Sequence, residues 1–344
     1  MKIVMLCCFI LASCLVEGSE YVFEAGHPSL QHWLLPEQVP EPADNPLTKE
    51  KIELGKKLFF DPRLSGDGNM SCATCHSPMF GWSDGQTTAR GHKSMVLGRA
   101  SPVVTNTGYN DIQMWDGREA TLESQSIGPM RSDAEMNMNI PELIAFLNES
   151  GYRQLFSQAF PNEEIGIEQL AKAIASFERT IVSRDSPFDH WVRGDDTAMT
   201  PQQVRGFKLF VDPNKGNCAV CHSAPNFTDN GFHNLGLASY DTANPDLGRF
   251  HQKPLRLMKG AFKTPTIRDI TLSAPYFHDG SASTLEEVLA HYVAGGVAKS
   301  NVSPNMKPLT LSEQEQADIV AFMQSLTTPA EPFVMPVLPL EGSE

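Results

Sequence analysis

The sequence predicts a mainly α-helical protein made of two similar domains in tandem, and three observations carry that expectation. The pentapeptide Cys72-Ala73-Thr74-Cys75-His76 returns as Cys218-Ala219-Val220-Cys221-His222. The stretch ahead of it, Gly55-Lys56-Lys57-Leu58-Phe59-Phe60-Asp61-Pro62, returns as Gly206-Phe207-Lys208-Leu209-Phe210-Val211-Asp212-Pro213, so the two halves read as a duplication. Apolar residues recur at helical spacing in several segments, and none shows the sustained alternation of a strand.

Residues 1–18 have the outline of a secretory signal: Lys2, an apolar stretch from Ile3 to Leu11, and a polar turn by Glu17. That stretch is too short to span a bilayer. Within it, Leu11-Ala12-Ser13-Cys14 looks like a bacterial lipobox, in which Cys14 becomes the lipidated first residue. The alternative is plain cleavage near Gly18. Either way the destination is outside the cytoplasm, and any membrane attachment is through a lipid on Cys14.

In each copy of the repeat a short amphipathic helix is expected, capped by Thr48 or Thr200, with Pro201 at the first helical position of the second. Each ends at Asp-Pro and feeds a loop to the cysteine motif. Further helices are expected over Pro141 to Asn148, Ile167 to Ile181, Ser283 to Ala294 and Ser312 to Leu326, the last opening with the capping box Ser312/Glu315. The turn-rich Gly194-Asp195-Asp196-Thr197 divides an N-terminal domain, 45–194, from a C-terminal domain, 195–328, followed by a tail, 329–344.

With 344 residues and 41% hydrophobic content, the chain has ample material for folded cores. A net charge of -14 excludes the basic face that nucleic-acid binding requires and suits a basic redox partner better. Of seven cysteines, Cys7, Cys8 and Cys14 lie in the signal region, and the remaining four all stand in C-x-x-C-H motifs.

That motif has a chemical reason. Two thiols at this spacing add to the two vinyl groups of a porphyrin, and the adjoining imidazole reaches the iron. A redox dithiol, a structural zinc site and disulfides are the competing readings. A His beside the second Cys in both copies, together with export, favours two covalently attached c-type haems, one per half.

Between and after these motifs stand Trp115-Asp116-Gly117-Arg118 and Ala274-Pro275-Tyr276-Phe277-His278-Asp279-Gly280. With them the sequence resembles the bacterial di-haem cytochrome c peroxidases, and more closely their MauG branch, over roughly residues 45 to 328. The resemblance implies two cytochrome c-like haem domains. The N-terminal haem, on Cys72, Cys75 and His76, meets hydrogen peroxide; the C-terminal haem, on Cys218, Cys221 and His222, handles electrons; Trp115 couples the two. Glu135, twenty residues beyond Trp115, matches the acid on the open face of the peroxide haem, and Gln125 and Pro129 match neighbouring pocket positions. Splitting an O–O bond heterolytically needs a proton moved between the two oxygens, which gives Glu135 a task of its own. Taken singly, Glu135 reads as a surface carboxylate and Trp115 as a core aromatic.

Where peroxidases proper place a Met ligand fourteen residues beyond the His of the Tyr-Phe-His-Asp-Gly run, the MauG branch has Tyr, and here that position is Tyr292. Ser283 and Glu286 are expected to form the capping box of its helix, Gly295 and Gly296 stop it, and Leu285, Val288, Leu289 and Tyr292 share a face. On residue type alone Tyr292 reads as a core tyrosine. A phenolate is a hard anion that stabilises ferric and higher iron states, so His222/Tyr292 ligation implies a haem that is hard to reduce.

Two features depart from the MauG pattern. His92 lies where peroxidases keep a removable distal ligand on the N-terminal haem; its other reading is an exposed loop His. Gly216 replaces a surface Trp through which the methylamine-pathway maturase passes oxidising equivalents to its substrate. The family's interdomain calcium could be met partly by main-chain oxygens of Ser273 to Pro275. His190, His233, His251 and His291 read as ordinary loop or surface residues, and His278 as a residue orienting the haem pocket.

The function so implied is peroxide-dependent oxidation of a protein partner in the periplasm. Peroxide removal with electrons from a small redox protein, and non-catalytic electron carriage, are the alternatives.

Overall fold

A computed structural model describes residues 21–340; the expected signal, with Cys7, Cys8 and Cys14, lies outside the described residues. The chain is mainly helical: α1 Lys49–Phe59, α2 Cys72–Cys75, α3 Leu122–Arg131, α4 Ile140–Glu149, α5 Tyr152–Ala159, α6 Ile167–Glu178, α7 Pro187–Arg193, α8 Pro201–Val211, α9 Leu285–Val293 and α10 Glu313–Gln324. Two two-residue strands, β1 Phe232–His233 and β2 Phe262–Lys263, pair antiparallel.

The duplication is structural. In the first half α1 crosses α6, and in the second α8 crosses α10. Gly55 and Gly206, equivalent in the repeat, mark the two crossings. A methyl group on Gly55 would stand 1.8 Å from the Ala173 carbonyl oxygen, and one on Gly206 would stand 1.9 Å from that of Asp318. Only a residue without Cβ lets the backbones approach so closely. Phe177 and Phe322, four residues further on, close over the two glycines from equivalent positions.

Thr48 and Thr200 cap α1 and α8 as expected, and Ser312 forms the capping box of α10 with Glu315. The cap of α9 is shifted by one from the expected Ser283/Glu286 box. Thr284 is the N-cap, accepting the Glu287 N–H at 3.2 Å, while the Glu287 carboxylate accepts the Ser283 N–H at 2.6 Å. A second hydroxyl adjoins the first, and the one that starts the helix at Leu285 prevails.

One core joins Leu54, Leu58 and Phe59 of α1 to Ile174 and Phe177 of α6; another joins Phe207 and Phe210 of α8 to Phe322 of α10. Residues Phe188, Trp191 and Val192 of α7 precede the expected boundary in sequence and pack in the second core. The ends of the described chain cross over. Leu30 and Trp33 enter the second core, Trp33 lying 4.9 Å from Phe227 between ring centroids. Phe333, from the tail, packs against Phe60 and Trp82 of the first half at 5.1 and 5.3 Å.

A buried ion pair fastens the second core. Arg268 and Asp189 have no exposed side-chain surface; the guanidinium donates to both Asp189 oxygens at 2.9 Å and to the Trp33 carbonyl at 3.0 Å. Burial is tolerated because each charge is matched and hydrogen-bonded.

Helix propensity alone would make Gly206→Ala stabilising by about 1 kcal/mol. The crossing predicts the opposite sign, a loss of about 1–3 kcal/mol from overpacking, measurable by urea denaturation of the holoprotein.

Candidate haem sites

Each C-x-x-C-H motif lines a cavity. The N-terminal cavity is bounded by Cys72, Cys75 and His76 with Gln125, Pro129 and Glu135. Cys218, Cys221 and His222 bound the C-terminal cavity with His278 and Tyr292. All four motif thiols are unpaired, so no disulfide competes for them. Burial pushes Cys75 up to about 11 and Cys218 up to about 12, and raises Cys72 as well, keeping these thiols neutral.

The two histidines are set alike. His76 Nδ1 lies 3.3 Å from the Trp82 carbonyl oxygen and His222 Nδ1 lies 2.9 Å from that of Phe227. Trp82 and Phe227 both adopt left-handed backbone, with φ of 62° and 53°. An N–H at Nδ1 donating to these carbonyls leaves the Nε2 lone pair of each ring for a metal. Burial lowers both imidazoles from the usual histidine range, which favours the neutral, ligating form. Two free thiols, an imidazole of fixed tautomer and a cavity therefore fit a covalently attached haem in each half.

In the N-terminal cavity, Gln125 and Pro129 stand four apart on α3, and Glu135, half-buried, follows on the turn after that helix. On that cavity wall the carboxyl can accept and return a proton, and the amide can hydrogen-bond to what lies beside it. His92 is not among the residues lining this cavity. Its Nδ1 lies 3.5 Å from Asp67 Oδ2, and its Nε2 lies 3.3 Å from the Asn137 side-chain nitrogen.

Trp115 lines both cavities. Its indole N–H donates to the Ala100 carbonyl at 2.9 Å, and its own carbonyl accepts the Lys263 N–H at 2.8 Å. The segment that carries it is held from the other half: Arg249 donates to the carbonyls of Asp116 and Gly117, and Arg99 bridges Asp116 and Asp246 at 2.9 and 2.6 Å. His278, 6.4 Å from the Trp115 ring, stacks on Phe262 at 3.4 Å between centroids. Burial lowers His278 to about 4, so it is a neutral ring packed in the wall of the C-terminal cavity.

In that cavity Leu285, Val288, Leu289 and Tyr292 share the lining face of α9, as their spacing predicts. The Tyr292 hydroxyl makes no hydrogen bond among the described residues, and burial raises it above the usual phenol range. A phenol that faces a cavity unpartnered has its oxygen free for a metal. Gly216 lines the same cavity, and a methyl group there would stand 2.7 Å from the Leu209 carbonyl and 3.2 Å from Cys218 Sγ. A larger residue would displace the helix end or the cysteine.

Three ionisable residues at the cavities carry no signal in the sequence. His233, expected to be ordinary, is hydrogen-bonded to Asp229 at 2.8 Å and pushed up to about 10, by that carboxylate first and by Cys221 next. His233, Asp229 and Cys221 form the one group of three His, Cys, Asp or Glu side chains among the described residues that could share a metal. Glu178 is buried with Oε2 unpartnered and is raised to about 8 by burial, and Lys263 is likewise buried. Their chemistry depends on folding contacts, which no local motif announces.

These features are those of a di-haem peroxidase, and comparison with known proteins agrees. Residues 49–197 match the family model of the di-haem cytochrome c peroxidases and 203–327 that of cytochrome c. The chain belongs to the di-haem cytochrome c peroxidase family and is a peroxidase-type oxidoreductase. It is 43% identical to the methylamine utilization protein MauG of Methylophilus methylotrophus, covering 92% of this chain and 94% of that one. It is 35% identical to the cytochrome c551 peroxidase of Nitrosomonas europaea, covering 89% and 88%. Among solved structures, a MauG-like protein associated with microbial copper homeostasis superposes with a TM-score of 0.80 at 32% identity, covering 86% of this chain and 95% of that one.

Replacing Cys72 and Cys75 together by Ala is expected to halve the covalently bound haem per chain, read as the alkaline pyridine haemochrome of denatured, acid-acetone-extracted protein. Full haem content in that variant would remove the motif from the attachment sites.

Proposed function

We propose that this protein uses hydrogen peroxide at the N-terminal haem to oxidise a residue of an exported protein partner, as a MauG-like enzyme. The observation that carries the proposal is the Tyr292 phenol, which shares the C-terminal cavity with His222 and has no hydrogen-bonding partner among the described residues. A Met ligand would suit a haem that accepts electrons readily; a phenolate suits one that holds an oxidising equivalent.

The haems, once bound, supply the iron at which peroxide is cleaved and the redox capacity for its oxidising equivalents. The chain's own residues do the rest. Glu135 takes the proton from the inner peroxide oxygen and returns it to the outer one, which leaves as water. Gln125 orients the peroxide from the same wall. Trp115, packed between the cavities and fixed at both its N–H and its carbonyl, offers an aromatic ring through which electrons pass from one half to the other. His92 contacts Asp67 and Asn137 rather than the N-terminal cavity, which supports a haem site that would be open to peroxide at rest.

Its signal-like N-terminal sequence and its haem attachment chemistry support a periplasmic location. No helix among the described residues is long and apolar enough to cross a membrane. The acidic chain suits a partner with a basic contact face.

Glu135→Gln is expected to slow the reaction with peroxide by about 10²–10⁴-fold, the usual worth of a positioned proton carrier, with an unchanged ferric spectrum; stopped-flow absorbance reads it. Tyr292→Met is expected to raise the potential of the C-terminal haem and to abolish peroxide-driven oxidation of the partner. An unchanged spectrum and potential in both Tyr292→Met and Tyr292→Phe would overturn the assignment.

A further inference from the structure

Lys263 is 6% exposed, and its ammonium makes one hydrogen bond, to the Thr264 carbonyl at 3.0 Å. An ammonium has three donors. No carboxylate lies within ion-pairing distance of Lys263 among the described residues, whereas the buried Arg268 has Asp189 at 2.9 Å. A buried cation left unpaired is among the costliest features a fold can carry, so a matching anion is called for. Burial without a close partner lowers the ammonium to about 8.

The place of this side chain identifies the anion. Lys263 lines the C-terminal cavity with His222 and Tyr292, and it also lines a smaller cavity with His76 and Gln125. Its backbone is held firmly: it pairs with Phe232 across the two-stranded ladder, and its N–H donates to the Trp115 carbonyl at 2.8 Å. The unpaired ammonium is therefore carried on a rigid element beside the residue that lines both haem cavities. A haem brings two propionate carboxylates, and neither Asp246 nor Glu178, the acids that line the two cavities Lys263 faces, pairs with its ammonium: Asp246 is held by Arg99 and Glu178 Oε2 has no partner.

We propose that Lys263 is the shared counter-cation of the two haems, its ammonium bonded to a propionate from each. One positive charge placed so stabilises the reduced form of both irons, and it links them electrostatically at the same point where Trp115 joins the two cavities. The inference rests on the two haems of the family and not on the identity of the protein substrate.

Anaerobic potentiometric titration of the holoprotein tests it, since midpoint potentials are read without peroxide or partner. In Lys263→Met both haem potentials are expected to move negative, with covalent haem content unchanged. Should Lys263→Met fail to accumulate, Lys263→Gln, which is neutral but polar and of similar length, carries the same test. A shift at one haem only, or at neither, would overturn the proposal. Normal peroxide chemistry in a variant with two lowered potentials would leave the function above intact, so the two readings fail separately.

Discussion

Everything in this protein hangs on two helix crossings made at backbone distance. Where α1 meets α6 and α8 meets α10, Gly55 and Gly206 let a carbonyl of the partner helix come within reach of the place a Cβ would occupy. Each crossing fixes the end of the helix that carries the repeat, at Asp61 or Asp212, and with it the start of the loop that bears the cysteines. In the second half the same helix end accepts the Gly216 N–H, at the Leu209 carbonyl 3.0 Å away, two residues before Cys218. The imidazoles are then set by carbonyls of residues in left-handed backbone, so that position and tautomer of each metal-facing nitrogen follow from the main chain alone.

The halves so made are interlocked rather than strung together. Trp115 belongs to the first half by sequence, but its segment is held by Arg249 and by the backbone of Lys263 from the second, and Arg99 bridges carboxylates of both. The described chain begins in the core of the second half through Trp33 and ends in that of the first through Phe333. This exchange fixes the distance and orientation between the two cavities, which electron exchange between haems requires.

Much of this was legible in the sequence because it is local. Haem motifs are pentapeptides, the duplication is a string comparison, and the face of α9 that carries Tyr292 follows from a period of 3.6. The cap of α9 moved by one residue because two adjacent hydroxyls compete. What could not be read comes from long-range packing: α7 joining the second core, Phe333 returning to the first, His92 turning to Asp67 and Asn137, the buried ionisable groups Glu178 and Lys263, and the half-buried His233. Their environments are made by residues far away in the chain, so residue type alone assigns them to the surface.

The central claim is that a haem open to peroxide and a His/Tyr haem act as one oxidising unit. Electron paramagnetic resonance of the fully ferric holoprotein, before and after one equivalent of hydrogen peroxide, tests it most directly. The account predicts one high-spin and one low-spin ferric signal, both lost on adding peroxide. Two low-spin signals indifferent to peroxide would contradict it: the N-terminal haem would then be closed by a second ligand at rest, and the protein would be an electron carrier or an enzyme that must first be reduced.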